Sequence, residues 1–313
     1  MSKLLVVFGA TGHQGSSVID FVINDPELSQ QYKLRAITRD VTSDKIKHLQ
    51  ESRKDIEVIQ ADISDRSSLE YALTGAHYVF AMTTPSFGPD SLDVELNSAK
   101  RIADVAVEKG VEYFIFSTLP SVMELSGGKY TKVAPFDEKA KAEAYIRGLP
   151  MKSAFYSPGS FLENFHSPTF LGPQKAADGT WVLTRANSPR SKLPFINAAG
   201  DTGKFVGSIL AEPDKYEGKR LCAAAGMWTY DDVVAAMSKF SGKTVLYKQV
   251  SVEKFKEMVQ FGADIFAEAL AYPEEYGYYG KDTEDSVSWA VQQARGNLIT
   301  LEQHFEKHPL RLE

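Results

Sequence analysis

The stretch Lys3–Gly15, KLLVVFGATGHQG, constrains the fold more than any other part of the chain. Leu4, Leu5, Val6, Val7 and Phe8 form an unbroken apolar run, as a strand covered on both faces requires. Gly9, Gly12 and Gly15 follow at three-residue spacing, and Ser16–Asn24 has the pattern of an amphipathic helix. Strand, glycine turn and helix in that order predict a dinucleotide site. Gly9 permits the tight turn, Gly12 lets the backbone approach a pyrophosphate, and Gly15 lets the helix lie close on the strand. The helix N-terminus then faces the phosphates.

Further strands are predicted at Lys33–Thr38, Ile56–Ala61, His77–Met82, Glu112–Ser117 and Met151–Tyr156, the last broken by Ser157-Pro158-Gly159. Helices at Ser43–Ser52, Ser67–Thr74, Ser91–Lys109 and Pro135–Gly148 separate them. This alternation predicts an α/β fold, a Rossmann-type doubly wound parallel sheet. Beyond Pro158 the pattern loosens into short strands (Trp181–Thr184, Leu193–Asn197, Lys219–Ala225, Lys243–Gln249) and helices (Asp201–Leu210, Thr229–Phe240, Ser251–Phe261). Tyr-rich turns at Tyr272, Tyr276, Tyr278 and Tyr279 and a final helical region follow. The expected organisation is a nucleotide-binding domain over 1–157 and a smaller, interleaved α+β C-terminal domain over 158–313 for substrate or partner. The strand near Leu221 is expected to return to the main sheet.

A net charge of −6 without a long single-sign run gives no nucleic-acid footprint. No apolar run reaches membrane-span length, and the residues before the glycine loop are too few for a signal-peptide core. The single cysteine, Cys222, excludes an internal disulfide and a cysteine metal cluster. Its apolar surroundings, Leu221–Ala225, predict a buried, inert thiol. A reducing, cytoplasmic compartment is the expectation.

Arg39 follows the second strand, where such folds hold the adenosine ribose and an Arg accommodates a 2′-phosphate. Thr38-Arg39 therefore favours NADP(H) over NAD(H). Asp62, at the end of the third strand, either accepts from the adenine amino group or, like Asp65, caps the next helix. Thr83, Thr84 and Pro85 are placed to line the cleft. Short-chain dehydrogenases take their proton donor from a Tyr four residues before a helix Lys. Here Pro135 stands four before Lys139, Asp137 stands four before Lys141, and Tyr130 is nine residues upstream of Lys139. Lys139 itself would bond the nicotinamide ribose, act as a base through a depressed pKa, or be a solvated lysine. Ser117 and Thr118 would bind substrate or water, or partner a turn. His13 and His166 are candidates by position only. No spacing supports a metal site or a serine hydrolase.

Gly9-Ala10-Thr11-Gly12-x-x-Gly15, Thr38-Arg39, Phe136-x-x-Lys139-x-x-x-Glu143-x-Tyr145-Ile146-Arg147 and Pro158-Gly159-Ser160-Phe161-Leu162-Glu163-Asn164 resemble the NmrA-like family. These are atypical short-chain dehydrogenase relatives, typified by a fungal nitrogen-metabolite regulator and a human redox sensor. The resemblance covers essentially the whole chain. It implies NADP(H) contacts from Gly9, Ala10, Thr11, Gly12, His13, Gln14 and Gly15, and from Arg39, Asp62, Ile63, Thr83, Thr84 and Pro85. Lys139, Phe161 and Asn164 complete that set. It further implies a cofactor sensor that regulates a protein partner, a transcription factor in the fungal members, with the nucleus as a second compartment. Neither direct nucleic-acid binding nor membrane contact is expected. The related isoflavone-reductase-like enzymes also lack the Tyr and use a helix Lys. They imply the alternative, an NADPH-dependent reductase of a small carbonyl or aromatic substrate with Lys139 as the catalytic residue.

Overall fold

The computed structural model describes residues 2–52, 55–85 and 93–313; Ser86–Asp90, expected from the sequence to be a loop that bound cofactor orders, and the start of the helix expected at Ser91 lie outside them. The first half runs β1 (Lys3–Val7), α1 (His13–Asn24), α2 (Leu28–Gln31), β2 (Tyr32–Thr38), α3 (Asp44–Ser52), β3 (Glu57–Gln60) and α4 (Arg66–Leu73). It continues with β4 (Tyr78–Ala81), α5 (Val94–Glu108), β5 (Tyr113–Ser117), α6 (Val122–Leu125), α7 (Ala134–Arg147) and β6 (Lys152–Pro158). The second half opens with β7 (Ser160–Phe161), a 3-10 turn (Leu162–His166), β8 (Gln174–Lys175), β9 (Trp181–Arg185), β10 (Lys192–Ile196) and α8 (Ala198–Ala211). Then come α9 (Pro213–Tyr216), β11 (Arg220–Ala223), β12 (Gly226–Thr229), α10 (Tyr230–Ser241) and β13 (Val245–Gln249). Four helices close the described chain: α11 (Val252–Met258), α12 (Ala263–Tyr276), α13 (Thr283–Gln293) and α14 (Leu301–Lys307).

Seven strands form one sheet in the order β11-β6-β5-β4-β1-β2-β3, with every pairing parallel. The apolar run of β1 is explained by its central place. Leu5 and Val7 are fully buried in one core with Val18, Val22, Phe205 and Ile209, and Val6 and Phe8 are buried in another with Leu69 and Ile102. Successive residues thus feed the layers on opposite faces of the sheet. The chain winds from β1 to β2 and β3 on one side, and from β4 to β5 and β6 on the other. That switch point, between β1 and β4, opens a crevice at the carboxyl ends of the strands.

The second half is built onto this sheet. Arg220–Ala223 supplies the edge strand beside β6. Helix α8 lies so close to α1 that a Cβ on Gly203 would sit 2.2 Å from the Ser17 carbonyl oxygen, and one on Gly207 would meet the Phe21 ring at 2.3 Å. The Gly203 N–H donates to Ser17 Oγ at 2.9 Å across the same seam. A division of the chain at 157/158 is therefore crossed by both a strand ladder and a helix pair. Two small three-stranded sheets, β12-β10-β7 and β13-β9-β8, complete the second half.

Two expectations are corrected. The strand expected to break at Ser157 runs on to Pro158, because β11 extends the ladder through Cys222–Ser157 and Ala223–Pro158. Tyr272 and Tyr276 lie in the helix α12 rather than in turns, although Pro273 is inside it. Ala267 and Tyr272 bury the core-facing side of α12, and that burial holds the helix past the proline until Gly277, at φ 75°, ends it. Cys222 is buried as expected, and burial pushes its thiol up to about 11.

Candidate functional site

The glycine loop lies at the switch point, and each of its glycines has a different physical task. Gly9 adopts φ 67°, a left-handed conformation that favours glycine. A Cβ on Gly15 would lie 2.3 Å from the Gly9 carbonyl oxygen, so this residue sets how closely α1 docks. A Cβ on Gly12 would meet only the Gly9 oxygen, at 3.4 Å, an ordinary contact within the protein. The space that Gly12 keeps clear is on the open side, where the first-turn amides of α1 point and no side chain caps the helix. An uncapped helix N-terminus beside an exposed glycine fits a pyrophosphate. Ala10 is buried, Thr11 is half-buried, and His13 is exposed at the rim.

Gln14 is buried and accepts a hydrogen bond from Ser117 Oγ at 2.6 Å. The Thr118 hydroxyl is fully buried and donates to the Lys139 carbonyl. These two hydroxyls tie the loop and α7 to β5, which is the structural one of the two roles expected for them. His166 is likewise drawn away, with its Nε2 3.0 Å from Nε2 of His304.

Arg39 is exposed at the carboxyl end of β2. The neighbouring Asp40 carboxylate turns onto Thr42, accepting its N–H at 2.8 Å and its hydroxyl at 2.6 Å. Asp62 is exposed opposite Arg39 and accepts the Ser64 N–H at 2.8 Å. These Ser64 bonds, chiefly, hold its carboxyl below the usual range, with the Arg39 charge adding to them. Asp65 is the residue that caps α4, through the Ser67 N–H. Ile63 is half-buried beside it. Sequence reading missed Lys45, whose Nζ donates to the Thr11 carbonyl at 3.1 Å and brings a second cation to the loop. Its signal was a lysine in the first turn of the helix that follows Arg39.

At the other end of the crevice Thr83 is buried, Thr84 exposed and Pro85 half-buried. Lys139 is buried too, which removes the solvated-lysine alternative. Its Nζ contacts Glu95 Oε1 at 2.5 Å, Thr83 Oγ1 at 2.8 Å and the Thr83 carbonyl at 3.0 Å. All three ammonium protons have acceptors. The Thr83 hydroxyl in turn donates to Glu95 Oε1 at 2.6 Å, while Glu95 Oε2 is buried without a hydrogen-bond partner among the described residues. Burial pulls the Lys139 ammonium below the ordinary lysine value, and Glu95 opposes that fall.

The two residues before Lys139 behave similarly. Asp137 accepts from Ser121 Oγ and the Met123 N–H, both at 3.0 Å. Glu138 accepts the N–H groups of Asp93 and Glu95, at 3.1 and 3.2 Å, and so holds the start of α5. Three consecutive side chains of α7 thus bind three segments between them, Ser121–Met123, the start of α5 and Thr83, with Glu138 and Lys139 sharing Glu95. Pro135, in the first turn of α7, occupies a position where a missing N–H costs no helical bond. Phe161 is half-buried and Asn164 exposed on the segment that follows β6. The described residues contain no group of three or more His, Cys, Asp or Glu side chains that could hold a metal, and no helix long and apolar enough to cross a membrane.

A glycine loop at the switch point of a parallel sheet, with an exposed arginine at the end of β2, defines a protein of Rossmann fold with the form of a nucleotide site. The profile of the NmrA-like family matches residues 1–306, and the chain belongs to that family. An NmrA-like family domain-containing protein of Dictyostelium discoideum is 28% identical, with 100% of both chains covered. An NmrA-like family domain-containing oxidoreductase of Penicillium ochrochloron is 29% identical over 91% of this chain and 89% of its own. Among solved structures, the negative transcriptional regulator NmrA in complex with NADP has a TM-score of 0.80 at 21% identity, covering 98% of this chain and 95% of that one. An NADPH-dependent quinone oxidoreductase of Escherichia coli, complexed with NADPH, has a TM-score of 0.74 at 20% identity, covering 97% and 99%. These two structures share the fold.

Proposed function

We propose that the chain binds NADP(H) and acts as a cofactor-responsive regulator of a protein partner rather than as an efficient dehydrogenase. The observation that carries this reading is the triple grip of α7. Asp137, Glu138 and Lys139 are buried; Asp137 holds Ser121 and Met123, Glu138 holds the start of α5, and Lys139 joins that same start, at Glu95, to Thr83. A cofactor that touches Thr83–Pro85 or Lys139 meets a hub joined to the start of α5 and to the start of α6 at Ser121–Met123. Meanwhile Pro135 stands at the proton-donor position and every Lys139 proton already has an acceptor. When bound, the nicotinamide would supply a hydride; the described crevice residues supply its cradle. The NADP complex of NmrA supports this choice of cofactor class.

The oxidoreductase relatives and the quinone-oxidoreductase fold neighbour favour a second reading, a reductase in which Lys139 releases Glu95 and turns to substrate. Following NADPH absorbance against a panel of quinones and small carbonyls separates the two. The regulator reading expects background oxidation for the whole panel. Rapid turnover that Lys139→Ala abolishes would establish the reductase instead.

Arg39 decides the choice between cofactors. It is exposed and the adjacent Asp40 is turned away from it, so a 2′-phosphate would find an uncommitted guanidinium. Arg39→Ala is expected to remove a charge-assisted contact of about 1.5–3 kcal/mol, weakening NADPH binding roughly ten- to a hundredfold. NADH binding should hardly change. Calorimetric titration of both cofactors checks this, and equal affinities in the unaltered protein would refute it.

A further inference from the structure

Far along the chain from the glycine loop, the 3-10 turn at Leu162–His166 and the residues after α14 enclose a pocket of about 790 Å³. Its cationic groups are Lys175, Lys307 and Arg311, joined by His166 and His308, and no acidic side chain lines it. Lys175 donates to the main-chain oxygen of Glu313 at 2.6 Å. Lys307 and Arg311 are exposed and make no ion pair with any described residue. In a chain of net charge −6, two uncommitted cations on one acid-free pocket are a local reversal of sign. Trp181, Phe165, Pro173 and Leu310 contribute apolar wall.

The proton on His166 can be worked out from buried neighbours. Asn197 caps α8 by accepting the Gly200 N–H on its Oδ1 at 2.7 Å, which fixes the side-chain amide. Its Nδ2 therefore donates to Nδ1 of His304 at 2.8 Å. A neutral His304 must then carry its proton on Nε2 and donate it to His166 Nε2, 3.0 Å away. His304 is neutral because burial, chiefly, pulls it down to about 3. Since His166 Nε2 is an acceptor, its proton sits on Nδ1, the ring edge turned away from His304. The helix cap thus delivers a fixed N–H donor to a ring that lines the pocket.

We propose that this pocket is a second ligand site, for an organic anion with a flat apolar body and a carboxylate or phosphate head. The body lies against the Trp181 wall, and the head takes Lys307, Arg311 and the His166 N–H. The assignment goes beyond cofactor binding and stands without it.

The test uses the full chain saturated with NADPH, which occupies the glycine-loop crevice if the cofactor reading holds. Naphthalene-2-carboxylate and 2-naphthyl phosphate are titrated by calorimetry, with neutral 2-naphthol as the control. One anion is expected to bind at a single site, at least tenfold tighter than 2-naphthol, and the tighter of the two assigns the head group. Lys307→Ala/Arg311→Ala, altering two exposed side chains, is expected to weaken it at least tenfold with an unchanged melting temperature. His166→Phe should weaken it severalfold. No saturable binding, equal binding of 2-naphthol, or binding indifferent to the double substitution would overturn the proposal. Loss of NADPH binding itself, read in a separate titration, would instead bear on the cofactor reading.

Discussion

Gly12→Val is expected to drive NADPH binding below detection while the protein stays folded. A Cβ at this position meets only the Gly9 carbonyl oxygen at 3.4 Å, so the turn accepts it. The added methyls project from an exposed residue at the uncapped end of α1, into the space a pyrophosphate needs. The unaltered protein's melting temperature should rise with added NADPH, because a ligand of the native state stabilises it by mass action; the mutant's should not. Gly15→Ala makes the contrasting control. There the Cβ lies 2.3 Å from a backbone oxygen, so stability itself should fall, by about 1–3 kcal/mol for an overpacked site. Undiminished NADPH affinity in Gly12→Val would move the phosphate site elsewhere.

The second large effect is on stability. Lys139→Met is expected to destabilise the protein by about 3–5 kcal/mol, the usual result of leaving one partner of a buried ion pair uncompensated. Among the described residues Glu95 would keep only the Thr83 hydroxyl, its other oxygen having no partner there. For a chain of this length the melting temperature should drop by roughly 5–8 °C. Glu95→Gln in the same background removes the stranded charge and should restore most of the loss. Thermal unfolding of both single variants and the double variant measures this coupling. If the two single losses simply add, Lys139 and Glu95 are not one unit.

The features legible in the sequence were those fixed by neighbours along the chain. The apolar run of β1, the turn at Gly9 and the close approach at Gly15 are local consequences of residue type. The same holds for Arg39 at the end of β2. What escaped notice depends on distant partners. Asp137 and Glu138 stand beside Lys139 on one helix and point in different directions, and only Lys139 drew a functional reading, with a solvated side chain as its alternative. Only the fold shows that all three directions lead into protein, toward Ser121, Asp93 and Thr83. Glu95 went unremarked inside the helix expected over Ser91–Lys109, and its buried pairing with Lys139 was invisible. The continuation of β6 past Ser157 needed β11, more than sixty residues later, to hold it. The helix α12 was hidden by Pro273, a breaker by propensity that tertiary burial overrides.

The central claim is that cofactor occupancy is felt at the rim through α7. Hydrogen exchange with and without saturating NADPH tests it at three amides, those of Asp93, Glu95 and Met123, each bonded to a carboxylate of that helix. The account predicts slower exchange at all three when the cofactor is bound, and loss of that protection in Glu138→Gln at Asp93 and Glu95 alone. Rates unchanged at saturation, with binding confirmed by calorimetry, would contradict it.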